Sequence, residues 1–583
     1  MTEHLDVVIV GAGISGVSAA WHLQDRCPTK SYAILEKRES MGGTWDLFRY
    51  PGIRSDSDMY TLGFRFRPWT GRQAIADGKP ILEYVKSTAA MYGIDRHIRF
   101  HHKVISADWS TAENRWTVHI QSHGTLSALT CEFLFLCSGY YNYDEGYSPR
   151  FAGSEDFVGP IIHPQHWPED LDYDAKNIVV IGSGATAVTL VPALADSGAK
   201  HVTMLQRSPT YIVSQPDRDG IAEKLNRWLP ETMAYTAVRW KNVLRQAAVY
   251  SACQKWPRRM RKMFLSLIQR QLPEGYDVRK HFGPHYNPWD QRLCLVPNGD
   301  LFRAIRHGKV EVVTDTIERF TATGIRLNSG RELPADIIIT ATGLNLQLFG
   351  GATATIDGQQ VDITTTMAYK GMMLSGIPNM AYTVGYTNAS WTLKADLVSE
   401  FVCRLLNYMD DNGFDTVVVE RPGSDVEERP FMEFTPGYVL RSLDELPKQG
   451  SRTPWRLNQN YLRARNECHP AQRDFNVAFS GTGLGALAGI GAQRFDADVD
   501  AAQRGGISHR AVDDQPGPAG RAGQLGDDIT DQRGVQGPGA VDDQHTARTW
   551  LREHRLQQRI VLKTPHGADR SGELRSAAEL AEL

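Results

Sequence analysis

The segment LDVVIVGAGISG, residues 5–16, decides the fold: an apolar run ends in Gly11, Gly13 and Gly16, and the helix-forming stretch VSAAWHL follows at once. A glycine at the end of a strand permits a tight turn, and a second lets backbone approach a pyrophosphate. A small third residue lets the next helix pack closely on the strand. Phosphates then meet the unpaired N–H groups and the positive end of that helix. Glu36 closes YAILE twenty residues beyond Gly16, where a carboxylate takes the two hydroxyls of a ribose. A second copy, NIVVIGSGATA at residues 177–187, repeats the pattern with Gly182, Gly184 and Ala187. Twenty residues on, that copy has Arg207 instead of an acid. A guanidinium clamps a 2′-phosphate that a carboxylate would repel; the plain alternative for Arg207 is a solvated surface side chain. The first site therefore reads as an FAD site and the second as an NADPH site.

Length and composition agree with a redox enzyme of several domains. At 583 residues, 41% of them hydrophobic, the chain can bury large cores. Its 64 basic and 67 acidic residues give no reason to expect nucleic acid as a partner. The seven cysteines occur singly, with no CxxC, which suits a reducing, cytoplasmic setting. No metal-ligand set is expected. No signal peptide is read before the first strand, and no run of about eighteen apolar residues is present to span a membrane.

The expected class is α/β, with two Rossmann-like dinucleotide-binding domains, FAD and NADPH, a helical insert and a disordered C-terminal tail. Residues 1–150 read as the first part of the FAD domain. Residues 151–335 read as the NADPH domain, with a helical insert at about 221–285. Residues 336–463 read as a return segment to the FAD domain, entered through the small residues Ala341, Thr342 and Gly343. The insert is expected to act as a lid over the substrate pocket. Its basic and aromatic residues (Trp240, Trp256, Arg258, Arg259, Arg261, Lys262) suggest a peripheral membrane contact, set against the more ordinary reading of a solvated helix face. Residues 464–583 differ abruptly: all 14 methionines and 21 tyrosines precede them, and they carry one lysine against thirteen arginines. Such a composition predicts disorder and suggests a shifted reading frame. A third GxGxxA there, at Gly483, Gly485 and Ala488, reads as accidental.

Two further patterns carry a resemblance. FVGPIIHPQHWP places Phe157, Gly159, His163, Trp167 and Pro168 at fixed spacing, and GGTWDLFRYPGIRSD supplies Gly42, Gly43, Trp45, Tyr50, Pro51, Gly52 and Asp56. With both fingerprints in this order, residues 4–463 resemble the Baeyer–Villiger type of class B flavoprotein monooxygenases, including a mycobacterial member that activates a thioamide prodrug. The resemblance implies that Ser15 meets the FAD pyrophosphate and Glu36 its ribose. Thr44, Trp45, Asp46 and Leu47 would line the flavin, and Val104 would face the adenine. Arg54, Ser55 and Asp56 would sit where nicotinamide meets flavin. Ser183, Gly184, Ala185, Thr186 and Ala187 would hold the NADPH phosphates, with Arg207 and Ser208 on the 2′-phosphate. NPWDQRL resembles the loop that delivers the active-site arginine, here Arg292, which Asp56 would orient.

The activity implied is NADPH- and O2-dependent oxygenation of hydrophobic ketones (Baeyer–Villiger insertion) and of sulfur in thioamides and sulfides. His163 is expected to couple the two domains or to be a plain structural histidine. Disulfide reductases share the architecture but require a redox cysteine pair that is missing here. A flavoprotein that binds cofactor without turning over, because of the replaced C-terminus, is the alternative.

Overall fold

A computed structural model describes residues 2–468 and 477–481 of the chain. Residues 482–583, with the third glycine pattern and most of the expected tail, lie outside the described residues.

The opening strand His4–Val10 has Val7, Val8 and Ile9 fully buried, as a run apolar on both faces requires in a parallel sheet. It pairs in parallel with Tyr32–Leu35 on one side and Thr125–Leu136 on the other, with Val10 opposite Leu35 and Leu136. Thr125–Leu136 also pairs antiparallel with Arg115–Ser122, which in turn pairs with Lys103–Ser110. The return segment contributes Met380–Tyr382, parallel to the end of Thr125–Leu136. Helix Ile14–Arg26 leaves the first glycine turn. A Cβ on Gly16 would stand 1.9 Å from the Gly11 carbonyl oxygen, so only glycine fits there.

Helix Trp391–Asn412 of the return segment lies along that first helix. Trp391 Nε1 donates to Ser15 Oγ at 2.6 Å, Ser18 Oγ to Asp396 at 3.2 Å, and Arg26 to Glu400 at 3.0 Å. Contacts spread along both helices, from Ser15–Trp391 to Arg26–Glu400, fix their register as well as their proximity.

The second fingerprint sits in a separate all-parallel sheet, ordered Val310–Thr314, His201–Gln206, Asn177–Ile181, Ile337–Thr340, Ile161–Ile162. Gly182 has φ +143°, and a Cβ on it would meet the Ala341 carbonyl oxygen at 2.3 Å. The two units are joined by two chain crossings that pair with each other, Tyr141–Gly146 antiparallel to Leu344–Leu346.

The chain continues in the body beyond residue 463. Helix Tyr461–Glu467 buries Ala464, Arg404 donates to the Cys468 carbonyl at 2.6 Å, and Val477–Ser480 pairs antiparallel with Thr416–Val419. All seven cysteines are free and buried. Among the described residues no helix is long and apolar enough to cross a membrane.

The insert consists of helices Gly220–Trp228, Glu231–Lys255 and Pro257–Gln269. It is anchored by polar contacts. Arg239 donates to the carbonyls of Tyr60, Thr61 and Gly63 at 2.8, 3.2 and 2.8 Å, capping the last turn of helix Met59–Leu62, and it pairs with Asp396 at 3.3 Å. Asp58 starts that same short helix and also accepts from Asn242 and Gln246 at 2.8 and 2.9 Å.

Removing one member of such a buried network leaves its partner charge uncompensated. Arg239→Met should therefore cost about 3–5 kcal/mol and lower the thermal unfolding midpoint by several degrees; an unchanged midpoint in scanning calorimetry would show that the insert is held by other contacts.

Candidate active site

The first glycine turn opens into a cavity of about 300 Å³. Gly11, Gly13 and Ser15 form one wall, and Thr44 and Trp45 face them from the second glycine loop. The two loops come close enough that a Cβ on Gly43 would stand 3.2 Å from Gly13 Cα. At the far end lie Glu36 and Val104. One Glu36 oxygen accepts the Ala12 N–H at 2.8 Å and the other the Arg38 N–H at 3.0 Å, which leaves lone pairs on both for a pair of hydroxyls. Burial pushes this carboxyl above its ordinary range, against the lowering effect of those two N–H donors.

Gly16, Asp46, Leu47 and Ser55 do not line the cavity. Gly16 packs against the turn. The Asp46 carboxylate is taken by Arg38 at 2.8 Å and by Ser40. Leu47 packs into the core of the second unit, and the buried Ser55 hydroxyl donates to the Ser57 carbonyl at 2.5 Å. Arg54 does line it. Its Nη1 pairs with Asp300 at 2.6 Å, while Nε and Nη2 are buried without a protein partner, so two donors remain for a polar group in the cavity.

A second cavity, of about 670 Å³, opens from the second turn. Ser183, Gly184, Ala185 and Thr186 line its floor, with Arg207 and Ser208 exposed at one side. A Cβ on Gly184 would meet nothing within 4 Å, so the helix N-terminus at Ala185 faces open space. Ser183 Oγ is tied to the Ser208 carbonyl at 2.8 Å. Ala187 is fully buried at the helix–strand contact and does not reach the cavity.

The two cavities share six lining residues: Asp56, Tyr141, Ala185, Thr186, Arg292 and Leu344. Arg292 and Asp56 form an ion pair at this junction, each about one-third exposed to the cavity space. The loop carrying Arg292 is clamped from the return segment. Thr435 donates both its backbone N–H and its hydroxyl to the Asp290 carbonyl at 3.0 and 2.9 Å, and Trp289 is held at φ +74°, a strained value for an aromatic residue. Burial opposes the charge of the Arg292 guanidinium, and the adjacent Asp56 carboxylate more than offsets it, so the group stays protonated. Burial pushes the phenols of Tyr140, Tyr141 and Tyr438 up and the Cys294 thiol up to about 12, so these neighbours stay neutral. The junction is therefore a permanent cation with one counterion among neutral hydrogen-bonding groups.

Sequence reasoning missed much of the wall: Tyr140, Tyr143, Gln347 and Trp391 on the first cavity, Tyr438 and Arg441 on the second. Tyr140 stacks on Trp391 at 5.3 Å, and the Arg441 guanidinium lies 3.4 Å over the Tyr147 ring. The aromatic run at 140–143 was the available signal. No residue of 221–285 lines either cavity. Anchored on Asp58 and the carbonyls up to Gly63, the insert does not act as a lid in this arrangement. Among the described residues no cluster suited to a metal ion is present.

His163 belongs to the crossing between the units. Its Nδ1 accepts the Gln165 N–H at 3.2 Å, which leaves Nε2 to carry the proton and donate to the Gly343 carbonyl at 3.1 Å. Both ring nitrogens are engaged by backbone, and the residue lines neither cavity, so it is a structural pin on the paired crossings. Trp167 packs against the core of the second unit and edge-on to Tyr173, and Phe157 is buried.

The profile of a family described as flavin-binding monooxygenase-like matches residues 74–361, and that of an NAD(P)-binding Rossmann-like domain matches residues 9–70. The FAD-containing monooxygenase EthA of Mycolicibacterium smegmatis is 67% identical over 462 residues, covering 79% of this chain and 94% of its own. A protein described as "Probable FAD-binding monooxygenase AlmA" of Acinetobacter baylyi is 49% identical over 479 residues, covering 82% and 96%. Among solved structures, an oxidised steroid monooxygenase bound to NADP shares the fold with a TM-score of 0.61 at 23% identity, covering 71% of this chain and 88% of its own. OTEMO complexed with FAD and NADP does so with a TM-score of 0.64 at 20% identity, covering 80% and 97%.

The pinned histidine makes stability depend on pH. Burial holds His163 below its ordinary pKa, as it does His22 and His281. A histidine lowered in the folded chain contributes stability that is complete above its unfolded pKa of about 6.5 and is lost as pH falls below it. Between about pH 7 and pH 5 the thermal midpoint should therefore drop less in His163→Gln than in the unaltered chain; an equal or larger drop would mean that His163 does not carry this proton linkage.

Proposed function

This chain belongs to the flavin-binding monooxygenase-like family, and from that premise we propose that it is an FAD-containing, NADPH-dependent monooxygenase oxygenating hydrophobic ketones and thio-compounds such as thioamides and sulfides. The observation that carries this reading is the meeting of two dinucleotide cradles at one ion pair, Asp56–Arg292.

The donor sets fit the two cofactors. The first cavity offers Glu36 for a ribose, the free N–H groups above Gly13 for phosphate, and the unpartnered Arg54 donors at the inner end. The second offers the open helix end at Gly184 for phosphate and the exposed Arg207 with Ser208 for a 2′-phosphate. Bound there, FAD would supply two-electron transfer from the nicotinamide to dioxygen.

The chain's own residues prepare the place where this occurs. Arg292 presents a charge that does not titrate, placed to stabilise negative charge developing on oxygen. Asp56 orients the guanidinium and keeps it at the junction. Tyr140, Tyr141 and Tyr438 are held as neutral donors around it, and the rings of Tyr141 and Tyr438 with Leu344 give an apolar wall to an uncharged substrate. The reading of a flavoprotein that binds cofactor without turning over is not favoured. The chain covers 94% of the EthA sequence, and both cradles and the ion pair are in place.

Three measurements test the reading. Supplied with NADPH and air, the purified chain should convert ketones to esters and thioamides or sulfides to S-oxides; NADPH oxidation with no oxygenated product from any of these classes would refute it. Arg292→Ala should keep anaerobic flavin reduction within about threefold and lower oxygenation by about 100-fold or more; retained ester formation would remove Arg292 from the chemistry. Arg207→Ala should raise KM for NADPH by about tenfold or more while hardly moving that for NADH. An unchanged preference would place the 2′-phosphate elsewhere.

A further inference from the structure

The charge of this chain is unevenly distributed. Residues 232–273 contain nine lysines and arginines and no aspartate or glutamate, within a chain whose formal net charge is −3. Two of the nine are used internally: Arg239 is buried on the carbonyls up to Gly63, and Lys241 pairs with Asp219. Most of the rest lie on or beside helix Pro257–Gln269, preceded by Lys255 and Trp256.

That helix has an unusual exposed face. Phe264 and Ile268 are buried and hold it to the body. At about 100° per residue, Met260, Met263 and Leu267 fall within an arc of about 60° on another side, and Trp256 caps the start of the helix. Trp256, Met263 and Leu267 are 41, 42 and 42% exposed, and Met260 is half-buried. Scattered apolar residues on a surface are ordinary, but a collinear apolar stripe about two turns long is not. Arg259 and Arg270 border it on one flank, with Lys262 beyond them, and at the end of the preceding helix the Lys255 ammonium lies 4.9 Å over the Trp256 ring. Lysine and arginine stems can extend along such a stripe while their heads reach polar surroundings. None of these residues lines either cavity.

We propose that helix Pro257–Gln269, with Lys255 and Trp256, docks in the interface of an anionic lipid bilayer, the stripe Trp256–Met263–Leu267 entering the acyl boundary and the flanking cations meeting lipid headgroups. Apolar area together with like-signed charge is the pattern an anionic interface takes up. A nucleic acid would use the cations and leave the stripe in water. A second copy of the same face would bring like charges together, which opposes a symmetric dimer through it. The proposal is independent of the oxygenation chemistry, and places that chemistry near a source of apolar substrates.

The test is co-sedimentation of the full flavin-loaded chain with vesicles of phosphatidylcholine alone or mixed with phosphatidylglycerol, at low and high salt. The expected result is pelleting with the anionic vesicles only, reversed by high salt. Arg259→Glu with Lys262→Glu should weaken that partition by about tenfold or more, and so should Trp256→Ser with Met263→Ser and Leu267→Ser, with flavin absorbance retained as the sign of intact folding. No pelleting with anionic vesicles would overturn the proposal, as would equal pelleting with neutral ones, or folded variants that pellet like the unaltered chain. Retardation by an oligonucleotide without vesicle binding would assign the face to nucleic acid, and a dimer abolished by the stripe variants would assign it to a second copy. Should either variant lose its flavin, lipid selectivity and salt reversal of the unaltered chain decide the matter.

Discussion

The Arg292–Asp56 ion pair joins parts of the chain that local structure alone would never bring together. Asp56 ends the loop of the first nucleotide unit, Arg292 lies on a loop of the second, and Thr435 of the return segment clamps that loop from behind. A cation and a carboxylate in contact at the mouth of two cavities gain little if their supports move, since the attraction falls with distance and with water entry. The rest of the architecture can be read as what holds these supports still. The paired crossings Tyr141–Gly146 and Leu344–Leu346 set the spacing of the two units, and His163 pins the Gly343 carbonyl at their edge.

The same logic explains why so many buried polar groups lie behind the site. Arg239, Asp396, Asp58, Asn242 and Gln246 form a network between the insert, the short helix Met59–Leu62 and the return helix. Buried ion pairs are weak contributors to net stability, because desolvation offsets most of the attraction. They do discriminate against alternative packings, in which each group would be left unpaired. Here they fix one end of the loop that bears Arg54 and Asp56, whose geometry an apolar contact would hold less strictly.

Legibility in the sequence followed the range of the interactions. Glu36, Gly184 and Arg207 stand at fixed offsets from a strand–turn–helix unit, so their places could be read from spacing, and the structure sets each of them on a cavity wall. Gly16 and Ala187 were equally legible, but as packing positions: one has no room for a Cβ and the other is fully buried. Asp46 and Leu47 sit in a four-residue turn with no periodicity to show which face meets the cavity, and Arg38 draws the Asp46 carboxylate away. Trp391 and Tyr438 reach the walls from hundreds of residues beyond the first turn, and no local signal announces that. Composition placed a boundary at residue 463, yet Val477–Ser480 continues the body because its partner strand, Thr416–Val419, lies sixty residues earlier.

In the proposed reaction electrons cross directly from one cradle to the other beside Arg292. The most direct measurement is anaerobic stopped-flow mixing of the flavin-loaded full chain with NADPH deuterated at one or the other face of its nicotinamide C4, followed by loss of the oxidised flavin's visible band. Rapid bleaching slowed by deuterium on one face only is the predicted result, because a fixed junction presents a single hydride to the flavin. A flavin that binds but is not bleached, or is bleached with no isotope effect from either face, would contradict the claim that the two cavities meet as a single reaction centre.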